Sequence, residues 1–176
     1  HIYCLAPLIE ASKAYEKPIY GEMAKKVLEY YKENYKDRIL NFRLLSHFYA
    51  YVMEGLVDVG EIELVREAMA KIEKVQNYRG GIPGLYNVKW VCSTGLFQLA
   101  LVWYKLGELD KGNRIFRYAC SLQNETGGWY GSYPGTFLNK YSRGRQKAYY
   151  FPEEEISWAN KYFLDALSFK TKLEFE

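Results

Sequence analysis

This chain has few of the residues from which reactive centres are built. Among its 176 residues are four aspartates, Asp37, Asp58, Asp110 and Asp165, never adjacent. They cannot form an aspartate-rich Mg²⁺–diphosphate site. Its two histidines, His1 and His47, both lie upstream of Cys92. Zinc needs three or four convergent ligands, so no metal and no cofactor is expected. Three cysteines, Cys4, Cys92 and Cys120, are odd in number and widely spaced. They make no disulfide framework, which fits a reducing, cytoplasmic compartment. No apolar run reaches the ~18 residues of a membrane-spanning helix. A net charge of +3 is too small to argue for nucleic acid.

Apolar and aromatic residues are abundant. The chain is 49% hydrophobic and 26% charged, enough to bury a core, and its length suits one domain spanning residues 1–176. It opens on His1 rather than Met, as expected of a piece of a longer protein. Eighteen tyrosines, nine phenylalanines and four tryptophans stand out. Tyrosine and tryptophan join an apolar body to a polar handle, which suits wet cavities and ring-shaped ligands as well as gaps between helices.

The chain also repeats itself. Gln76-Asn77-Tyr78-Arg79-Gly80-Gly81 returns 47 residues later as Gln123-Asn124-Glu125-Thr126-Gly127-Gly128. Upstream, Val59-Gly60-Glu61 lies over Leu106-Gly107-Glu108, and Ala68, Met69, Ile72 and Val75 lie over Ile115, Phe116, Ala119 and Leu122. Such a period marks one supersecondary unit stacked on its copies. Ile62, Val65, Met69, Ile72 and Val75 form one apolar stripe, and Leu109, Ile115, Phe116, Ala119 and Leu122 form its counterpart. The preceding segments, Phe42–Val59 and Leu96–Leu106, are apolar on nearly all sides and should be buried on nearly all sides. Buried helices alternating with one-faced helices predict an inner layer wrapped by an outer one. Gly60 and Gly107 supply the tight turns between them. Further helices are predicted at Leu5–Glu16, Gly21–Tyr35 and Glu153–Phe169, with Pro18 between the first two. Thr126–Pro152 breaks the pattern with glycines and aromatics; a loop of this length is often functional. It should share one end of the molecule with its shorter counterpart, Tyr78–Val88.

The run Leu122-Gln123-Asn124-Glu125-Thr126-Gly127-Gly128-Trp129 resembles the glutamine–tryptophan repeat motif of squalene and oxidosqualene cyclases. The same arrangement occurs across the α/α-toroid superfamily, which includes the β-subunits of protein prenyltransferases. The earlier copy is similar but carries Ile82 in place of Trp. The resemblance covers two repeats and implies a terpenoid cyclase/prenyltransferase-like fold, with a stabilising role for Gln123 and Trp129. Runs such as Lys89–Leu96 and Phe151–Ala159 also resemble bacterial toroid domains associated with polysaccharide or methyltransferase proteins. The catalytic patterns of the family are missing. The cyclases' Asp-x-Asp-Asp segment is absent, and Trp90 stands where the prenyltransferases place their zinc-binding aspartate, two residues before a cysteine.

Several groups of residues have two readings each. Glu153, Glu154 and Glu155 follow Pro152, where negative charge complements a helix dipole. Alternatively, Glu154 or Glu155 is a rim carboxylate acting on a sugar. Lys140, Arg143, Arg145 and Lys147 form a solvated basic loop or an anion clamp. Cys92 and His47 begin successive inner helices and are either inert core residues or a nucleophile pair. Trp90, Trp129, Tyr133 and Trp158 either pack the core or stack on a ligand. Gln76, Gly81, Gln123 and Gly128 are expected to shape the repeat turns.

The expected fold is all-α: α/α-hairpins of about seven helices forming a partial α/α toroid. A closed ring of six hairpins at this period needs about 280 residues. The expected function is a non-catalytic binding or accessory domain whose aromatic concave face takes a carbohydrate or lipid-linked sugar. Trp90, Trp129, Tyr133, Trp158, Arg143 and Arg145 would serve as ligand-binding residues. The alternatives are a glycosidase-like or terpene-cyclase-like enzyme and a protein-interaction solenoid. A second toroid half or a second copy is a further possible partner.

Overall fold

The computed structural model describes residues 1–134 and 149–175. The fold is all-α. After a single 3₁₀ turn at Ile2–Cys4 come α1 (Leu5–Ala14), α2 (Pro18–Leu40), α3 (Ser46–Asp58), α4 (Ile62–Val75), α5 (Ser93–Lys105), α6 (Leu109–Cys120) and α7 (Ser157–Phe175). Two short strands, β1 (Val91–Cys92) and β2 (Ser132–Tyr133), pair antiparallel, with Val91 opposite Tyr133 and Cys92 opposite Ser132. They tie together the segments that lead into α5 and α7.

The two-layer pattern is present. Every residue of α5 from Ser93 to Tyr104 is buried. The helix packs against α3, α6 and α7, so no side of it is left for water. By contrast α4 buries only Val65, Ala68, Met69 and Ile72, and α6 buries Gly112, Ile115, Phe116, Tyr118 and Ala119. Each fully buried large side chain contributes about 1.5–3 kcal/mol, so α5 is the energetic centre of the domain. Helix α3 is intermediate. Tyr49, Ala50, Met53 and Leu56 are buried, but Phe48 is 51% exposed. The all-round apolar pattern of α3 is therefore not matched by all-round cover.

The two hairpin turns are closely equivalent. Gly60 and Gly107 adopt φ of +88° and +78°, left-handed values that glycine reaches at little cost. The Glu61 N–H donates to Leu56 O and the Glu108 N–H to Trp103 O, both at 2.9 Å. The Gly60 N–H reaches Val57 O and the Gly107 N–H reaches Tyr104 O, also at 2.9 Å. This pair of bonds is the Schellman pattern that satisfies the last carbonyls of a helix. Arg66 on α4 links the repeats, donating to Glu108 at 2.6 Å and to Leu106 O at 2.9 Å.

Two helix boundaries differ from the sequence-based expectation. α2 begins at Pro18, which sits in its first turn, and runs to Leu40 through a kink at Tyr35. The last helix begins at Ser157, not Glu153. Residues 151–156 bond across the chain instead: the Gly131 N–H reaches Phe151 O at 2.9 Å, and the Ile156 N–H reaches Trp129 O at 3.1 Å. Glu153, Glu154 and Glu155 thus precede the helix and do not complement its first turn.

Candidate functional site

The repeat turns show what their recurring residues do. Gln76 donates from Nε2 to Gly80 O at 3.0 Å, and Gln123 donates to Gly127 O at 2.7 Å. The Asn77 N–H reaches Gly81 O and the Asn124 N–H reaches Gly128 O, both at 2.9 Å. Gly81 is needed because a Cβ there would lie 2.7 Å from the Tyr118 ring, and Gly128 because a Cβ would strike the Glu155 carboxylate.

The two turns diverge at the asparagine side chain. Asn77 Oδ1 accepts the N–H groups of Arg79 and Gly81 at 2.9 and 2.8 Å. Asn124 faces outward and bridges two residues from other segments. Its Nδ2 donates to Glu155 Oε1 at 2.8 Å, and its Oδ1 accepts the Tyr133 hydroxyl at 2.9 Å. Thr126 Oγ1 donates to the same Glu155 oxygen. The Thr126 and Asn124 bonds hold the Glu155 carboxyl below the usual carboxylate range. That is the wrong direction for a general acid, which needs its proton near neutral pH. Tyr133 is half-buried, its hydroxyl also accepts the Tyr130 N–H at 2.8 Å, and burial pushes it up to about 12. Glu155 and Tyr133 brace the second repeat turn. Glu154 is exposed.

The tryptophans separate into two kinds. Trp129 is 2% exposed; its ring meets Phe97 and Phe163 at 5.0 and 4.9 Å, and its indole N–H donates to Ala119 O at 2.9 Å. Trp90 is 3% exposed and forms a small satellite core with Cys92, flanked by Leu45, Leu85, Val88 and Tyr150. Gly84 leaves the room its ring needs. Both rings are committed to packing and offer no face to a ligand. Trp158 is different: it is half-buried, donates to the Tyr150 hydroxyl at 3.2 Å and meets Phe151 edge-on at 5.7 Å. Arg143 and Arg145, with Lys140 and Lys147, lie outside the described residues.

The Cys92 thiol is fully buried and pushed up to about 11 by burial. It lies against Ser46 and the backbone of His47, while the His47 imidazole pairs elsewhere. A protonated thiol with no base on it is not an activated nucleophile.

What the fold does assemble is a polar cluster where α3 and α5 begin. His47 Nδ1 lies 2.6 Å from Gln98 Oε1. With a carbonyl oxygen facing it, Nδ1 carries the proton and Nε2 keeps its lone pair. Burial pushes the imidazole below its ordinary value, so it is neutral at pH 7. Tyrosine rings surround it: Tyr51 at 4.7 Å, Tyr150 at 6.1 Å and Tyr162 at 6.3 Å. Gly95 permits the close approach, since a Cβ there would overlap Ser46 and lie 2.8 Å from the His47 nitrogen. The Gln98 side chain also hydrogen-bonds the Tyr162 hydroxyl, while Thr94 Oγ1 and Ser132 Oγ, on the segments flanking Cys92, are buried without a hydrogen-bond partner among the described residues. At the rim Phe48 and Phe151 are 51% and 39% exposed. Next to it a groove of about 310 Å³ runs between Tyr3, Leu44, Phe48, Tyr51 and Val52.

The sequence reading placed a site at this end but did not select Gln98, Tyr51 or Tyr162. One signal was available: Gln98 is a lone amide in the interior of an otherwise apolar helix. Among the described residues, no group of three or more His, Cys, Asp or Glu could hold a metal ion, and no helix is long and apolar enough to cross a membrane. Fold and site together define an all-α hairpin-repeat protein with an aromatic, hydrogen-bonding cluster at the start of its inner helices. Comparison with protein-family models, with curated proteins and with solved structures found no match.

Proposed function

We propose that the chain is a partial α/α-toroid domain that binds a carbohydrate, free or lipid-linked, without transforming it. Two equivalent hairpins in an inner and an outer layer, joined by glutamine-braced turns, support the toroid assignment. One observation carries the binding assignment: Phe48 and Phe151, 51% and 39% exposed, stand with the half-buried Tyr51, Tyr150 and Trp158 beside the buried His47–Gln98 pair. Sugar rings offer apolar faces to such aromatics and hydroxyls to their phenol and indole groups. Two sites speak against catalysis. Glu155 is held as a carboxylate by hydrogen bonds, and Cys92 is held as a thiol by burial.

The test is a glycan array followed by titration of the strongest ligand on tryptophan fluorescence. Trp158→Ala is expected to weaken binding about tenfold, the loss of roughly 1.4 kcal/mol. Loss of Trp158 with no effect on any bound glycan would overturn the assignment. Release of reducing ends or transfer of a sugar in the same mixtures would overturn the non-catalytic part. A protein partner, such as a second toroid half or a second copy, is favoured by one feature, the apolar groove beside Phe48 and Leu44.

A further inference from the structure

We propose that the ligand is anionic, and that its negative group is held by Arg43 and Lys71 in a groove beside the aromatic rim. The inference rests on the carbohydrate reading above and extends it to a substrate class: a sugar bearing a carboxylate or a phosphoryl group.

The groove has a volume of about 460 Å³ and is lined by Asn41, Phe42, Arg43, Lys71, Val75 and Tyr86. That lies within the roughly 300–1,000 Å³ of small-molecule sites. Three chain segments meet in it: the connection between α2 and α3, the outer face of α4, and the loop that leads into α5. It is therefore at the same end as His47, which follows Arg43 by four residues.

Its charge is uncompensated. Among the described residues neither Arg43 nor Lys71 forms an ion pair with a carboxylate. Among the described residues Lys71 reaches Asn41 Oδ1, at 3.5 Å. Of the acids near these two cations in sequence, Asp37 is tied to Asn41 Nδ2 at 2.7 Å, Glu73 pairs with Lys111 at 3.3 Å, and Glu67, one helical turn from Lys71, forms no ion pair with it. Lys105 by contrast bridges Glu54 and Asp58, and Arg66 meets Glu108. An arginine fork beside a lysine presents donors matched to a carboxylate or phosphoryl oxygen pair. Tyr86, 59% exposed, offers a ring face to the sugar that carries the anion.

The groove and the aromatic rim share one floor. Leu45 and Leu85, adjacent in sequence to groove segments, pack with Tyr150 on the Trp90–Cys92 satellite core. The Ser46 N–H donates to Gly84 O at 2.7 Å and fixes the two segments together. An oligosaccharide seated against Trp158 and Tyr150 extends across this floor to Arg43.

The experiment titrates the protein with trigalacturonate, with its methyl ester, with glucose 1-phosphate and with glucose, by calorimetry. The same titrations are run on Arg43→Gln/Lys71→Met, with its melting temperature as a folding control. The expected result is that one acidic probe binds about tenfold tighter than its neutral partner, and that the double variant abolishes the difference. Trigalacturonate succeeding identifies a carboxylate as the recognised anion; glucose 1-phosphate succeeding identifies a phosphoryl group. Equal affinity for charged and neutral probes, or a preference that survives the double variant, would overturn the anion site and leave the carbohydrate reading standing. No binding of any probe, with no glycan found on the array, would overturn both.

Discussion

Replacement of Trp129 by phenylalanine separates a core ring from a ligand ring. The indole is 2% exposed and wedged between Phe97 and Phe163, and its N–H satisfies the carbonyl of Ala119 in the last turn of α6. Phenylalanine keeps an aromatic ring but removes the donor. That carbonyl still accepts the Leu122 N–H at 3.1 Å, so the lost bond costs about 0.5–1.5 kcal/mol. The smaller ring also leaves a cavity, at about 24 cal/mol per Å³ of unfilled space. Together the change should cost roughly 1–3 kcal/mol. For a chain of this size each kcal/mol lowers the melting temperature by about 2–4 °C, so a fall of roughly 2–12 °C is expected. Alanine would remove still more, against a typical total of about 5–15 kcal/mol, and risks an unfolded product. The assay is calorimetry with urea unfolding at constant m-value. Glycan affinity well below the melting temperature should be unchanged. A melting temperature within about 1 °C of wild type, combined with lost binding, would refute the core assignment and return Trp129 to the ligand site.

Gln123→Ala should cost about 0.5–1.5 kcal/mol, since the amide is exposed and its bond to Gly127 competes with water; urea unfolding that shows no change would mean the bond contributes nothing. Gly95→Ala should cost at least 1–3 kcal/mol by prying α3 from α5, and wild-type stability would show that the Ser46–Gly95 contact relaxes freely. Stability should fall as pH drops below about 6.5, because unfolded His47 takes a proton that the buried imidazole resists; the slope should shrink in His47→Gln. At the alkaline end Cys92 keeps its proton up to about 11 while an unfolded thiol loses it near 8.5, so stability should decline across that interval and Cys92 should resist iodoacetamide at pH 8.

Local periodicity and repetition were enough to read the fold class. The one-faced stripe of Ile62–Val75 and the all-round apolar run before Leu106 are short-range patterns, and burial follows them. Gly60 and Gly107 stand where a left-handed residue ends a helix, a requirement of the backbone alone. Gln76 and Gln123 reach carbonyls four residues away, so their role was also local. The three glutamates after Pro152 were misread as a helix start because residues 151–156 bond to Trp129 and Gly131 across the chain.

The candidate site depended on contacts that no local pattern encodes. His47 and Gln98 are 51 residues apart, and only the packing of α3 on α5 brings them to 2.6 Å. Whether a tryptophan stacks on a ligand or fills the core was equally open in the sequence, since the same indole serves both. Packing encloses Trp90 and Trp129 and leaves Trp158 half-buried. Arg43 and Lys71 looked like ordinary surface charges until the connection before α3 was laid beside α4. The sequence by itself determined which residues are helical and which faces they bury, because propensity and periodicity act within a few turns. Tertiary structure alone decided which polar groups meet and which charges stay uncompensated, because those depend on how separate helices cross.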